Sequence, residues 1–439
     1  MSFTRTSLFI LTVTALFAGL SGSYIVPLDH TAIEYTKRPV DDPISRLQKR
    51  INSGDVKLTY DQDFGYLPSV LKALGLKKES QILVFSKTSF QAPRIAPRLP
   101  RALYFGDDVS TGYVRGGDVL EFAAVDPKQG VIFYTLDQEP TAKPKFDRQD
   151  TCLQCHATGG TLGVPGLVVR SVFPDTSGMP QFQGGSFISD HRSPLKERWG
   201  GWYVSGTHGT TQKHMGNALI RDKEKPTDLD TENTQNQQSL QGKFDTGAYL
   251  SPHSDIVALM TFEHQTRMTN LITRVGYEAR MALSDNAAMN HAFGRPKGEW
   301  SDSTRSRIHS PVEELLDYLL FVEEAPLAEP IKGVSGFTES FSKEGPRDPK
   351  GRSLRDLDLQ TRLLRYRCSF LIYSEAFDGM PQEVKDRLYQ RLWQVLTGED
   401  QDKRFAAIPQ SERDAIREIL IATNHNLPSY WRVASHRNR

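Results

Sequence analysis

The chain has 439 residues, enough for two or three domains and a large core. Its 54 basic and 53 acidic residues leave a formal net charge of +1, which gives no reason to expect nucleic acid or another polyanion as partner. Only three cysteines are present, which excludes a disulfide framework, while 38% hydrophobic and 24% charged residues fit a soluble globular protein.

At the N-terminus Arg5 precedes an apolar run, Leu8 to Leu20 (LFILTVTALFAGL), that ends in Ser21-Gly22-Ser23. A basic start, a short apolar core and small residues predict a secretory signal over residues 1–23. The run falls short of the roughly 20 residues a spanning helix needs. Its Ser-x-Ser end leaves an uncleaved N-terminal membrane anchor as the alternative. Either reading puts the protein in the periplasm or cell envelope.

Asp42-Pro43 reads as a cap with proline at the first helical position, opening a helix over Ile44 to Asn52 that Gly54 stops. A second short helix is expected from Pro68 to Leu74. Strand signals follow at Ile82–Phe85, Ala102–Phe105, Gly112–Arg115, Val119–Ala124 and Val131–Leu136. Asp126 to Gly130 reads as the hairpin turn between the last two. A further strand is expected over Leu167–Phe173, and residues 221–243 are almost wholly polar, as in a loop or linker. Beyond them the pattern is helical: Asp255 to about Leu283, then Ser310-Pro311 to about Glu324 as a capping box, then a helix opened by Pro381 and stopped by Gly398, then one capped by Ser411. The expected fold class is α+β. A β-rich domain spans 24–220, and a helical part over 244–439 packs on it.

The haem expectation comes from Thr151-Cys152-Leu153-Gln154-Cys155-His156. Two cysteines two residues apart can each form a thioether with a haem vinyl group, and the following histidine can bind the iron; this is the C-x-x-C-H signal of covalent attachment. A zinc site would need a fourth ligand, for which only the lone Cys368 offers itself. A plain disulfide would leave His156 unexplained. A redox C-x-x-C belongs on a strand-to-helix turn, whereas the residues after this one read as loop. The cofactor expected is therefore one covalent haem c. The segment before the motif reads as strand, unlike the helix a small class I cytochrome c would place there.

A sixth iron ligand remains to be chosen. Met260, His264 and Met268 share one face of the long expected helix, and His264 ranks first. On residue patterns alone, a core histidine satisfied by a neighbour is the stronger reading of it. His208 and His214 come second, and Met179, in a Ser-Gly-Met-Pro turn, is a further alternative. His191 reads as an ordinary turn residue. No arginine is assigned to the haem propionates. No nucleotide, zinc-protease or serine-hydrolase signature occurs.

The runs RALYFGDDVSTGYVRGGDVLEFAAVDP, TLGVPGLVVRSVFPD, SDHRSPLKERWGGWYVSGTHG and DLQTRLLRYRCSFLIYSEAFD resemble those of exported bacterial proteins known mainly as cytochrome c domain-containing proteins of unassigned function. The resemblance covers nearly all of the chain after the leader. It implies one haem held through Cys152 and Cys155 with His156 as axial ligand, and carries over no reaction or partner. The expected function is single-electron transfer with a redox partner protein or a small-molecule donor or acceptor. A haem enzyme of the peroxidase or small-molecule oxidoreductase kind, or a haem-based sensor with an open distal position, is the alternative.

Overall fold

A computed structural model describes residues 25–432. The leader reading over residues 1–23 lies outside them. No helix among the described residues is long and apolar enough to cross a membrane.

Two short helices come first. Asp42 caps α1 (Pro43–Ser53) by accepting the Ile44 and Ser45 N–H groups, and Gly54 ends it in a left-handed turn. Helix α2 (Leu67–Leu74) ends the same way at Gly75. The strands are β1 (Ile82–Val84), β2 (Arg101–Phe105), β3 (Val109–Tyr113), β4 (Val119–Asp126), β5 (Gly130–Asp137) and β6 (Phe146–Arg148). After the short helix α3 (Leu153–His156) come β7 (Arg170–Val172), β8 (Ser186–Ile188) and β9 (Trp202–Tyr203). An antiparallel seven-stranded sheet has the order β6-β5-β4-β3-β2-β1-β9, and β7 and β8 form a separate hairpin. Asp126 Oδ1 accepts the Lys128 and Gln129 N–H groups at the β4–β5 turn, as expected there.

Both faces of the sheet are covered, so its strands are buried runs rather than clean alternations. Tyr104, Phe122, Ile132 and Tyr134 face α1 and α2. Leu103, Phe105, Ala123, Val131 and Phe133 face the helical half and merge with it in a single apolar cluster. Helix α4 (Ile256–Ala292) lies along that face, with Phe262 against Phe105 at 4.8 Å between ring centres. It packs in turn on α5 (Asp302–Leu319), α6 (Phe337–Ser342), α7 (Glu375–Asp378) and α8 (Gln382–Thr397), and α9 (Gln410–Thr423) closes over α8. The architecture is α+β, as expected.

Several boundaries differ from the expectations. The strand expected at Gly112–Arg115 begins at Val109, because its partners run from Phe105 and Ala124. Only Arg170–Val172 of the expected 167–173 strand pairs. Helix α4 runs past Leu283 to Ala292, with Asp255 as its cap. Ser310 is not a cap: Ser301 accepts the Thr304 N–H and starts α5 earlier, so Pro311 lies inside the helix. That helix stops before Glu324 because Phe321 and Glu323 take left-handed backbone. Ser411 sits within the first turn of α9, whose cap position is Pro409. The 221–243 stretch holds no helix or strand, and hydrogen bonds from Asn217 to Thr234 and from Gly206 to Gln237 strap it to the body.

Candidate haem-attachment site

The chain leaves β6 and tightens into a 3-10 turn at Asp150–Cys152 that continues as α3. One turn of helix places positions three and four apart on one face, so Cys152 shares a face with Cys155 and with His156. Cys155 is exposed, Cys152 half-buried against the main core, and neither is in a disulfide. The turn is strapped to the sheet. Gln149 donates through its backbone to Phe133 O at 2.9 Å and through its side chain to Thr135 Oγ1 at 2.9 Å, and Cys152 N–H donates back to Gln149 O.

His156 is held on three sides. Its ring lies 4.8 Å from the Phe133 ring, and its Nδ1 is 2.9 Å from Gly166 O. A carbonyl oxygen only accepts, so Nδ1 carries the proton and the Nε2 lone pair is left over. The Gly166 N–H also donates to His156 O at 2.9 Å, so one glycine fixes both ring and backbone. Burial keeps the imidazole below the ordinary histidine pKa and hence neutral at pH 7. This is the form and the outer hydrogen bond that a metal-binding histidine requires.

Helix α4 clamps the loop that carries Gly166. Asn270 donates from Nδ2 to Leu167 O at 2.7 Å and accepts the Leu167 N–H at Oδ1. A Cβ at residue 166 would overlap Asn270 Oδ1, so the close approach requires glycine. Arg274, one turn further along, donates to Leu162 O at 3.1 Å. Asn270 and Gly166 were missed in the sequence. The only hint was a polar residue interrupting the apolar pattern of the helix and a Gly-Val-Pro-Gly turn after the motif.

On the sheet side the neighbour is an ion pair. Arg101 on β2 lies over Gly112 and pairs with Glu121 on β4, with side chains 20% and 13% exposed. Glu121 also accepts Gln91 Nε2 at 3.0 Å. The register puts Glu121 directly opposite Thr135, which holds Gln149 at the root of the motif. Burial raises the Cys152 thiol pKa and the Glu121 charge adds to it, so Cys152 is a neutral thiol.

The distal candidates are scattered. His264 is fully buried with both nitrogens in use: Nδ1 lies 2.8 Å from His191 Nδ1, and Nε2 lies 2.8 Å from Ser369 Oγ. It stacks on Phe321 and Tyr318. Sequence reasoning ranked it first because its stripe was expected to cover the haem. Helix α4 is buried around almost its whole circumference there, and His264 is a core histidine beside the buried Arg198–Glu263 pair, as the stronger reading of its residue pattern had it. His191, expected to be a turn residue, is its buried partner. His208 and His214 are buried in edge contact, 4.8 Å between ring centres, with Trp199 against His214. Met179 is 48% exposed, on a turn whose Gly178 O accepts the Lys87 N–H.

Among the described residues no three His, Cys, Asp or Glu side chains gather as a metal-ion site, so the zinc alternative finds no ligand set. A haem asks for something else: two thiols and one free imidazole nitrogen on one turn. The residues here fit that demand. No protein-family model, curated protein or solved structure matches the chain.

Proposed function

We propose that the protein is an exported monohaem c-type cytochrome that passes single electrons between a redox partner protein and a small-molecule or protein acceptor. The observation that carries this reading is the His156 setting: on one turn with Cys152 and Cys155, its Nδ1–H is committed to Gly166 O and its Nε2 is free. Cys152 and Cys155 would hold the group by adding each S–H across a vinyl double bond, sulfur to one carbon and hydrogen to the other, with no oxidant required. When bound, the haem supplies a one-electron iron couple. The chain's own part is to keep His156 neutral and oriented through Gly166, to back the turn with Phe133, and to brace the loop from α4 through Asn270. The run Leu8–Leu20 supports export, and the resemblance to exported cytochrome c domain-containing proteins supports the haem on Cys152, Cys155 and His156 and no more.

One observation favours the second reading, a haem enzyme or sensor with an open distal position. His264, the first-ranked sixth ligand, has both nitrogens hydrogen-bonded elsewhere, and of the four candidates only Met179 is exposed. Protein matured with a haem-attachment system and extracted with acid–acetone should keep its haem, and Cys152→Ala with Cys155→Ala should abolish that retention. Release of all haem from the wild type, or zinc in stoichiometric amount, would refute the assignment. Carbon monoxide added to the reduced protein then separates the two readings: an unmoved Soret band means a closed carrier, a shifted one an open site.

A further inference from the structure

We infer that the loop between β1 and β2, together with the turn that packs on it, docks on an anionic membrane surface; the inference does not depend on the haem reading. The loop, residues 85–100, carries Phe90 at 77% exposure, the most exposed large apolar side chain among the described residues, and Leu99 at 39%. Met179 joins them from the neighbouring turn. Lys87 N–H donates to Gly178 O at 2.9 Å, and a Cβ at residue 178 would strike Phe85 O and crowd Pro97, so the two pieces are in direct contact. The chain is nearly neutral overall, yet residues 81–106 contain no Asp or Glu. Arg94 is paired with Asp118, but neither Lys87 nor the exposed Arg98 has an ion-pair partner among the described residues. The carboxylates that face the patch are already engaged: Glu121 with Arg101, and the buried Asp175 with Lys223.

The apolar tips are held out rather than left loose. Tyr203 donates to Pro97 O at 2.7 Å, Tyr249 donates to Pro100 O at 2.8 Å, and the Gln91 amide bonds Val119 O and Glu121. The backbone also suits a water-poor layer, where an unbonded N–H is costly. Pro93, Pro97 and Pro100 have no N–H to desolvate. Ala92 and Arg94 donate to Ser89 O and Gln91 O, and Ala96 and Leu99 exchange hydrogen bonds with each other. Separate apolar tips on two loops would need matching pockets in a protein partner. A headgroup layer instead takes each side chain singly, while Lys87 and Arg98 stay among the phosphates. The run Leu8–Leu20, as signal or as anchor, would bring the chain to such a surface.

The test is sedimentation of the full exported chain with vesicles of phosphatidylcholine, alone or mixed equally with phosphatidylglycerol. Wild type should bind the mixed vesicles about tenfold or more tightly than the neutral ones, and high salt should erase that margin. A retained apolar leader would bind both vesicles alike, so the margin reads the patch. Lys87→Glu with Arg98→Glu should remove it, and Phe90→Ser with Leu99→Ser and Met179→Ser should weaken binding to the mixed vesicles about tenfold. These side chains lie at the surface, so the melting midpoint should stay near that of wild type. If the triple variant does not fold, the charge pair decides the matter. Equal binding of wild type to both vesicles, or a margin that survives both sets of substitutions, would overturn the inference. Variants that slow electron exchange with an acidic partner protein but leave vesicle binding unchanged would make the patch a protein-docking site, and the lipid assignment would fall.

Discussion

Two histidines in this molecule meet opposite fates. His156 sits on a single helical turn at the edge of the sheet, with one nitrogen donating to Gly166 O and the other uncommitted. His264 sits in the middle of α4, with one nitrogen on His191 and the other on Ser369. Burial keeps both neutral, and pushes the pKa of His264 down to about 3. His264 is the more deeply buried of the two. They differ also in whether the second ring nitrogen already has a partner.

The sharpest way to break this comparison is through the core side. Arg198 and Glu263 are 3% and 0% exposed and 3.1 Å apart, and Arg198 also donates to the Ser193 and His191 carbonyls. Arg198→Met leaves Glu263 buried without its partner and should cost about 3–5 kcal/mol in urea unfolding, with haem retention unaffected. His264→Ala comes next, at about 2–4 kcal/mol, since it opens a cavity and orphans His191 and Ser369. Its holoprotein should keep the wild-type low-spin or high-spin spectrum. His156→Ala should do the reverse, costing about 1 kcal/mol or less in stability while removing the wild-type axial signature. A changed iron spin state in His264→Ala with no change in His156→Ala would invert the assignment.

The same contrast has a pH signature. In the folded protein His264 takes its proton only near pH 3, whereas unfolded it does so near 6.5, so the unfolded chain binds the extra proton between those values. The stability due to this residue is thus complete above pH 6.5 and lost as pH falls toward 3, at about 1.4 kcal/mol per pH unit. His264→Gln should show a shallower acid loss than wild type by about that slope, read from urea midpoints at pH 4.5 and 6.5. Equal slopes would mean His264 is not buried neutral. The smallest effects concern the cysteines: Cys368→Ser should cost about 1–2 kcal/mol because Cys368 is fully buried, and should leave haem attachment intact. Cys155→Ser, at an exposed position, should change stability by about 0.5 kcal/mol or less yet remove one thioether.

Much of this was legible in the sequence for stated reasons. Caps at Asp42 and Gly54 are local chemistry and came out as read. So did the β4–β5 hairpin, whose Asp and Gly fix the turn. The candidate turn could be picked out because Cys152, Cys155 and His156 fall within five positions. Ser310-Pro311 misled because a capping signature says nothing about a stronger cap upstream at Ser301. β9 was unreadable because a two-residue strand is defined only by its partner β1. For His264 the core reading, the stronger one on residue patterns, is what its two hydrogen bonds show, though its partners could not be foreseen. Spacing four along α4 shows which residues share a face, but not that the other faces are buried too, nor that His191, 73 positions away, would arrive to take a nitrogen. Asn270 likewise reaches the loop behind the motif only through contacts that the folded chain creates.

The Asn270 clamp also bears on the order in which the protein is put together. Its two hydrogen bonds join residues 103 positions apart, and Arg274 reaches back 112 to Leu162. Closing loops of that size costs chain entropy, so such contacts form after local turns do. The attachment turn itself needs only neighbours in sequence. An emerging chain therefore presents Cys152 and Cys155 on a nearly complete turn well before α4 exists to brace it. If the turn takes a covalent haem as proposed, the interval between those two events would be a window in which an attachment apparatus could grasp the segment as a pliant peptide. Docking of α4 afterwards would shut that window and set the imidazole in place. Slowing the arrival of α4, for instance by weakening Asn270, would lengthen the time available for haem loading while loosening the finished site.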